Sequence, residues 1–157
     1  MSTVPERIIG NAAAAGKRVA AAESLTAGMV AAELGTVAGA SAVLQGGVVA
    51  YQNSVKEQVL GVDGALLASA GSVDARVAEE MAAGVRTLLN ADFGVSTTGV
   101  AGPDPHDGKA VGTVFIGLAG PGGATSYEFH FDGDRASIRS QARAAALELL
   151  AGQLERT

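Results

Sequence analysis

The feature that most narrows what this chain can fold into is the run Arg-Val-Ala-Ala-Ala-Glu-Ser-Leu-Thr-Ala-Gly from Arg18 to Gly28. Its apolar stretch, Val19 to Ala22, stops at Glu23. Ser24 and Thr26 follow at once, and the helix-forming segment Met29-Val-Ala-Ala-Glu-Leu then begins. That order predicts a buried strand, a tight turn and a helix start. In an open α/β sheet such a turn lies at the carboxyl end of a strand, where ligands collect. A serine placed there stands at the positive end of a helix, with backbone N–H groups available to an oxyanion or a phosphate. The alternative is that Ser24 or Thr26 simply caps the helix.

The remaining chain alternates in the same manner. Val4 to Lys17 carries apolar residues at helical spacing and ends near Gly16, a helix stop. Val43 to Tyr51 reads as a strand bent or bulged at Gly46 and Gly47. Asn53 is placed as the cap of a short helix that Gly61 ends, and Asp63 to Gly71 as another. Ser72 opens a long helix reaching about Asn90. Phe93 to Thr98 is a strand that runs into a glycine-rich loop. Val111 to Ala119 and Thr125 to Phe131 are strands joined through Pro121-Gly-Gly, hence antiparallel. Asp134 starts a last helix ending near Leu154. The expected fold is α/β: a single-domain three-layer α/β/α sandwich with a mixed sheet, spanning residues 1–157.

Composition removes several functional classes. The formal net charge is -5, whereas a general nucleic-acid binder needs a basic field, so no nucleic-acid partner is expected. The absence of cysteine rules out disulfides and thiolate chemistry, and two separated histidines, His106 and His130, do not suggest a zinc site. No signal-peptide pattern opens the chain, and no apolar run approaches the ~20 residues that cross a bilayer. A cytoplasmic protein without a membrane partner is therefore expected. Charged residues make up only 17 % of the chain, which leaves surface for subunit contacts.

Three further places could carry chemistry. With Asn53 as cap, Lys56 falls in the first turn of its helix, where the dipole opposes a cation and favours the neutral amine. A neutral lysine can take a proton from a serine, although a solvated surface lysine is the alternative. In the loop Thr98-Gly-Val-Ala-Gly-Pro-Asp104, glycines let backbone N–H groups approach a ligand, or merely make a tight turn. Neither a Walker A ending nor a Gly-x-Gly-x-x-Gly fingerprint is present. Arg135, Arg139 and Arg143 recur every four residues along one helix face. An arginine at a helix start suits an incoming anion, whereas a solvated stripe paired with Glu148 or Asp132 is the alternative.

Five ordered motifs complete the reading. They are Ala22-Glu-Ser-Leu-Thr-Ala-Gly28, Tyr51-Gln-Asn-Ser-Val-Lys56, Thr98-Gly-Val-Ala-Gly-Pro103, Val111-Gly-Thr-Val114, and Gly133-Asp-Arg135 with Ile138-Arg139. In order and spacing the chain resembles the nicotinamide mononucleotide deamidases, also found as the C-terminal domain of CinA (competence/damage-inducible) proteins, over nearly its whole length. The resemblance implies an α/β/α fold and a homo-oligomer, dimeric or larger, in the stand-alone form of the domain. It implies Ser24 as nucleophile, Lys56 as general base and Tyr51 as a helper beside them. Thr26, Thr98, Gly99 and Gly102 would line the substrate site, Arg135 would hold the substrate phosphate, and Arg139 is a second candidate for that role. The reaction implied is hydrolysis of the carboxamide of nicotinamide mononucleotide, without metal or cofactor. Leu25 and Ala27 stand where the family usually has cysteine and glycine, the loop after Pro103 is shorter, and Ala110 replaces a common proline. These departures motivate an alternative, a catalytically silent nucleotide-binding or regulatory module of the same fold. A hydrolase acting on another small amide is a third reading.

Overall fold

The computed structural model describes residues 1–157. Helix α1 (Val4–Ala15) leads into strand β1 (Val19–Glu23), helix α2 (Met29–Gly35) and strand β2 (Leu44–Val49). The short helices α3 (Asn53–Gln58) and α4 (Gly64–Ala70) and the long α5 (Ala75–Leu88) follow. Strands β3 (Phe93–Gly99), β4 (Thr113–Gly120) and β5 (Gly123–His130) precede the C-terminal helix α6 (Arg135–Glu155). The sheet is five-stranded in the order β2-β1-β3-β4-β5. Strands β2, β1 and β3 run parallel, whereas β4 and β5 are antiparallel additions. The mixed α/β sandwich expected from the sequence is the fold observed.

Period-two alternation in the strands builds two cores, one on each face. Val19, Ala21, Phe93, Val95, Val114 and Ile116 face α1, α2 and α6. Ala20 and Ala22 face the other way, against Val77, Met81 and Val85 of α5. On α6, Ile138, Ala142, Ala146, Leu150 and Leu154 are buried at four-residue spacing, a single helical stripe laid on the sheet. Helix α5 approaches the sheet closely because Gly94 and Gly117 lack side chains. A Cβ at either position would collide with the carbonyl of Ala82 or of Ala78.

Local chemistry moves several element ends. Helix α5 starts after Asp74, not at Ser72, because the Asp74 carboxylate accepts from the N–H groups of Arg76 and Val77. Asn53 is the first helical residue of α3, and its cap position is Gln52 with no side-chain cap bond. Strand β4 begins at Thr113 because Gly112, at φ 93°, turns the chain against the Phe131 carbonyl. The bend expected in β2 is a register shift: Ala20 pairs with Gly46 after Val19 has paired with Leu44, so Gln45 bulges. No helix is long and apolar enough to cross a membrane.

The strand order puts the ends of β1 and β3 side by side. The connections from these two neighbours leave to different places, α2 from one and the glycine-rich loop from the other, and a crevice opens between them.

Candidate active site

That crevice is a cleft of about 320 Å³, bordered by Ser24 and Leu25 after β1, Tyr51 after β2, the Gly99–His106 loop after β3, and Arg135 at the start of α6. Ser24 on its border pairs with a lysine buried directly behind it. Lys56 Nζ lies 3.1 Å from Ser24 Oγ, 2.9 Å from the Ala50 carbonyl and 3.1 Å from the Tyr51 carbonyl. Lys56 is only 1 % exposed, the largest fully buried side chain of the protein. The alternative of a surface lysine is thereby excluded. Every ion pair of the structure lies elsewhere, so no carboxylate offsets its charge.

Burial pulls the Lys56 ammonium from the ordinary lysine value of 10.5 down to about 8. The cause is loss of water and not the helix dipole, because α3 has only six residues and Lys56 sits in its last turn. The three neighbours match both protonation states. As an ammonium, Lys56 donates to all three oxygens. As an amine, it gives its two N–H bonds to the carbonyls of Ala50 and Tyr51 and turns its lone pair to the Ser24 hydroxyl. A proton can pass between serine and lysine with no heavy-atom movement.

Neither Ser24 nor Thr26 caps α2. The only side-chain partner of Ser24 Oγ is Lys56. The cap is Glu23, a residue whose role the sequence reading missed. Its buried carboxylate accepts from the N–H groups of Val30 at 2.9 Å and Ala31 at 3.0 Å, and from the Thr26 hydroxyl at 2.6 Å. Thr26 also meets the hydroxyl of Thr97 at 2.8 Å, and the Ser24 N–H donates to the Thr97 carbonyl. The N–H groups at the start of α2 are thus occupied by Glu23. The donors left for a ligand lie one turn earlier, at Leu25, and across the cleft at Ala101 and Gly102. None of these three N–H groups has an acceptor within the protein.

The other sequence candidates divide cleanly. Gly99, Gly102 and Arg135 border the cleft. Arg135 donates to the Gly102 carbonyl at 2.7 Å and to the Tyr51 hydroxyl at 2.9 Å, which leaves further guanidinium N–H bonds for a ligand. Tyr51 meets Lys56 through its backbone carbonyl, while its half-exposed ring reaches Arg135. Thr26 and Thr98 are buried away from the cleft, and Thr98 donates to the Ser72 carbonyl at 2.7 Å. Arg139 also stays out of the cleft and binds the carbonyls of Leu25 and Thr26. Arg143 pairs with Glu33, and Glu148 with Arg7, so the alternative of an arginine stripe paired with Glu148 or Asp132 does not form.

The family model of the CinA C-terminal domain matches residues 1–154. This chain belongs to that family. Among curated relatives it is 51 % identical over 132 residues to a CinA-like protein of Frankia casuarinae, covering 84 % of this chain and 30 % of that one. It is 50 % identical over 150 residues to a CinA-like protein of Anaeromyxobacter dehalogenans, covering 94 % and 36 %. The chain therefore spans about a third of the length of these relatives. Solved structures agree in fold. A CinA superfamily protein from Klebsiella pneumoniae superposes with a TM-score of 0.93 at 32 % identity, covering 98 % of this chain and 97 % of that one. The competence/damage-inducible protein CihA from Agrobacterium tumefaciens gives 0.91 at 34 % identity, with 99 % of each chain covered.

Within this CinA-family chain, the departure at Ala27 has a conformational consequence. Ala27 sits at φ 48°, in the left-handed region that glycine occupies without a Cβ penalty. The loop after Pro103 is held from outside: Asp107 accepts from the Ser72 N–H at 3.1 Å, and Lys109 donates to the Val73 carbonyl at 2.8 Å.

Proposed function

We propose that this chain hydrolyses the carboxamide of nicotinamide mononucleotide to nicotinate mononucleotide and ammonia, with Ser24 as nucleophile and Lys56 as general base. The observation that carries this reading is the 3.1 Å contact between the hydroxyl of a serine bordering the cleft and a buried, carboxylate-free lysine behind it. The neutral amine takes the Ser24 proton as Oγ attacks the amide carbon. The oxyanion that forms is stabilised by the unpaired backbone N–H beside the serine. Lys56 then gives its proton to the departing nitrogen, the C–N bond breaks and ammonia leaves an acyl-Ser24 ester. Water attacks the ester, Lys56 takes its proton and returns it to Ser24, and the carboxylate product departs. Arg135, the one arginine bordering the cleft, is the partner for the substrate phosphate.

The test is ammonia release by the purified protein, without added metal, from nicotinamide mononucleotide, its riboside and free nicotinamide. The mononucleotide is expected to be much the best substrate. Equal rates on the mononucleotide and the riboside would remove the phosphate from recognition. Binding of the mononucleotide by calorimetry with no ammonia released would select the silent module.

A further inference from the structure

Arg139 lies one helical turn beyond Arg135 on α6, yet it faces protein backbone and not the cleft. Its Nε donates to the Leu25 carbonyl at 2.8 Å, and a second guanidinium nitrogen lies 3.4 Å from the Thr26 carbonyl. It has no carboxylate partner. The carbonyl it grips belongs to the central peptide of the turn that the Ala27 N–H closes onto the Ser24 carbonyl at 3.0 Å. Such central peptides can flip by half a turn, since two common turn types differ chiefly in that one orientation. A flip exchanges the places of C=O and N–H. Because the peptide is planar and trans, pinning the Leu25 oxygen against α6 holds the turn after Ser24 in one of these two forms. Leu25 is 3 % exposed and borders the cleft, yet its N–H has no protein acceptor. A buried and unpaired N–H directly after a nucleophilic serine is costly to keep, and rare unless a ligand uses it.

We infer that Arg139 is a positioning residue: through the Leu25 carbonyl it braces the turn after Ser24, so that the unpaired Leu25 N–H on the cleft border stays set to receive the oxyanion formed at Ser24. The inference rests on the acyl-transfer reading above. It separates the two arginines by function, with Arg135 binding substrate and Arg139 acting through the turn.

The experiment measures kcat and KM for ammonia release in Arg139→Met, Arg139→Lys and Arg139→Gln, alongside fluorophosphonate labelling of Ser24. In the labelling step the Ser24 Oγ–P bond forms, the P–F bond breaks, fluoride leaves and the proton passes to Lys56. The phosphonyl oxygen then occupies the same donor, whatever the natural substrate is. Losing the lock is expected to lower kcat by about 10- to 100-fold, somewhat less than deleting an oxyanion donor outright. KM should stay within about two-fold, since no substrate contact is lost. Lysine, which can still reach one carbonyl, should restore part of the rate. Labelling should slow in parallel. A raised KM with kcat intact would make Arg139 a substrate contact, and unchanged kcat and labelling would make the lock irrelevant; either overturns the inference. Should Arg139→Met fail to fold, the lysine and glutamine variants carry the same comparison. If wild-type protein is labelled at Ser24 but releases no ammonia from the mononucleotide, the substrate assignment fails alone. Slower labelling of the Arg139 variants would then still support the lock, and equal labelling would sink it.

Discussion

On the β1 side of the cleft, the side chains of Glu23, Thr26, Thr97 and Arg139 bind one another or nearby backbone, and Ser24 is left with Lys56 alone. On the β3 side, the Gly99–His106 loop borders the cleft with few internal bonds, held by Arg135 and through the neighbouring Asp107 and Lys109. The first region is buried between two packed cores, whereas Pro103 to His106 are exposed. Reacting groups need sub-ångström placement, which a sheet and its buried hydrogen bonds provide. Recognition tolerates a loop that can adjust. Changes on the β1 side should therefore act on kcat, and changes on the β3 side on KM.

The hardest way to break that division is to remove the serine–lysine pair. Ser24→Ala should abolish ammonia release, and Lys56→Met should lower it by about 10²- to 10⁴-fold, the usual range for a general base. Lys56→Met should also stabilise the fold by about 1–2 kcal/mol, because a buried charge with no carboxylate to offset it gives way to an apolar chain of similar length, which outweighs the loss of its hydrogen bonds to the Ala50 and Tyr51 carbonyls. Thermal melts read this directly; a destabilised methionine variant with intact turnover would contradict both roles. On the opposite side, Arg135→Gln should raise KM by roughly 10- to 100-fold and leave kcat within a few-fold, as removal of a charge-assisted phosphate contact requires. Preference for the mononucleotide over the riboside should vanish in that variant. A kcat defect instead would place Arg135 in the chemistry.

The pH dependence sharpens the comparison. Only the neutral amine can act as base, so kcat/KM should rise about ten-fold per pH unit below the Lys56 value of about 8 and level off above it. The stability linkage has the same direction. The unfolded lysine titrates near 10.5 and the folded one near 8, so the unfolded state binds the extra proton between them. Burial of Lys56 thus costs stability in full below pH 8, and that cost fades as pH climbs to 10.5. The gap in melting temperature between wild type and Lys56→Met should narrow across that window. A gap independent of pH would assign it to packing. The smallest effect is expected at Ala27→Gly, which relieves a positive φ but loosens the unfolded chain. A net gain of about 0.5–1 kcal/mol, with activity within two-fold, is expected from melts and the ammonia assay. A loss of stability there would mean that the alanine methyl packs favourably.

Much of the architecture was legible in the residues because strand and helix periodicities are local. The apolar run at Val19, the stop at Gly16 and the hairpin at Pro121 each declare themselves within a few positions. Errors fell at element ends, where capping competes: Asp74 displaced Ser72, and the cap of α2 came from Glu23, to which the sequence assigned no role. A carboxylate that caps from before the turn leaves no signature in the usual cap position. The arginines show the same limit. Their four-residue spacing placed Arg135, Arg139 and Arg143 on one face, but could not say that they meet a cleft, a turn carbonyl and Glu33 respectively.

The sequence by itself determined a strand ending in a serine turn, a glycine loop after a second strand, and a lysine on a short helix, since each depends only on near neighbours. Only the tertiary structure decided that Lys56 crosses 32 residues of chain to reach Ser24 in a site nearly closed to water. That contact arises because parallel β1 and β2 bring the ends of two separate strands together under the helical layers. The lysine's depressed pKa follows from the same packing, since desolvation belongs to the surroundings and not to the residue.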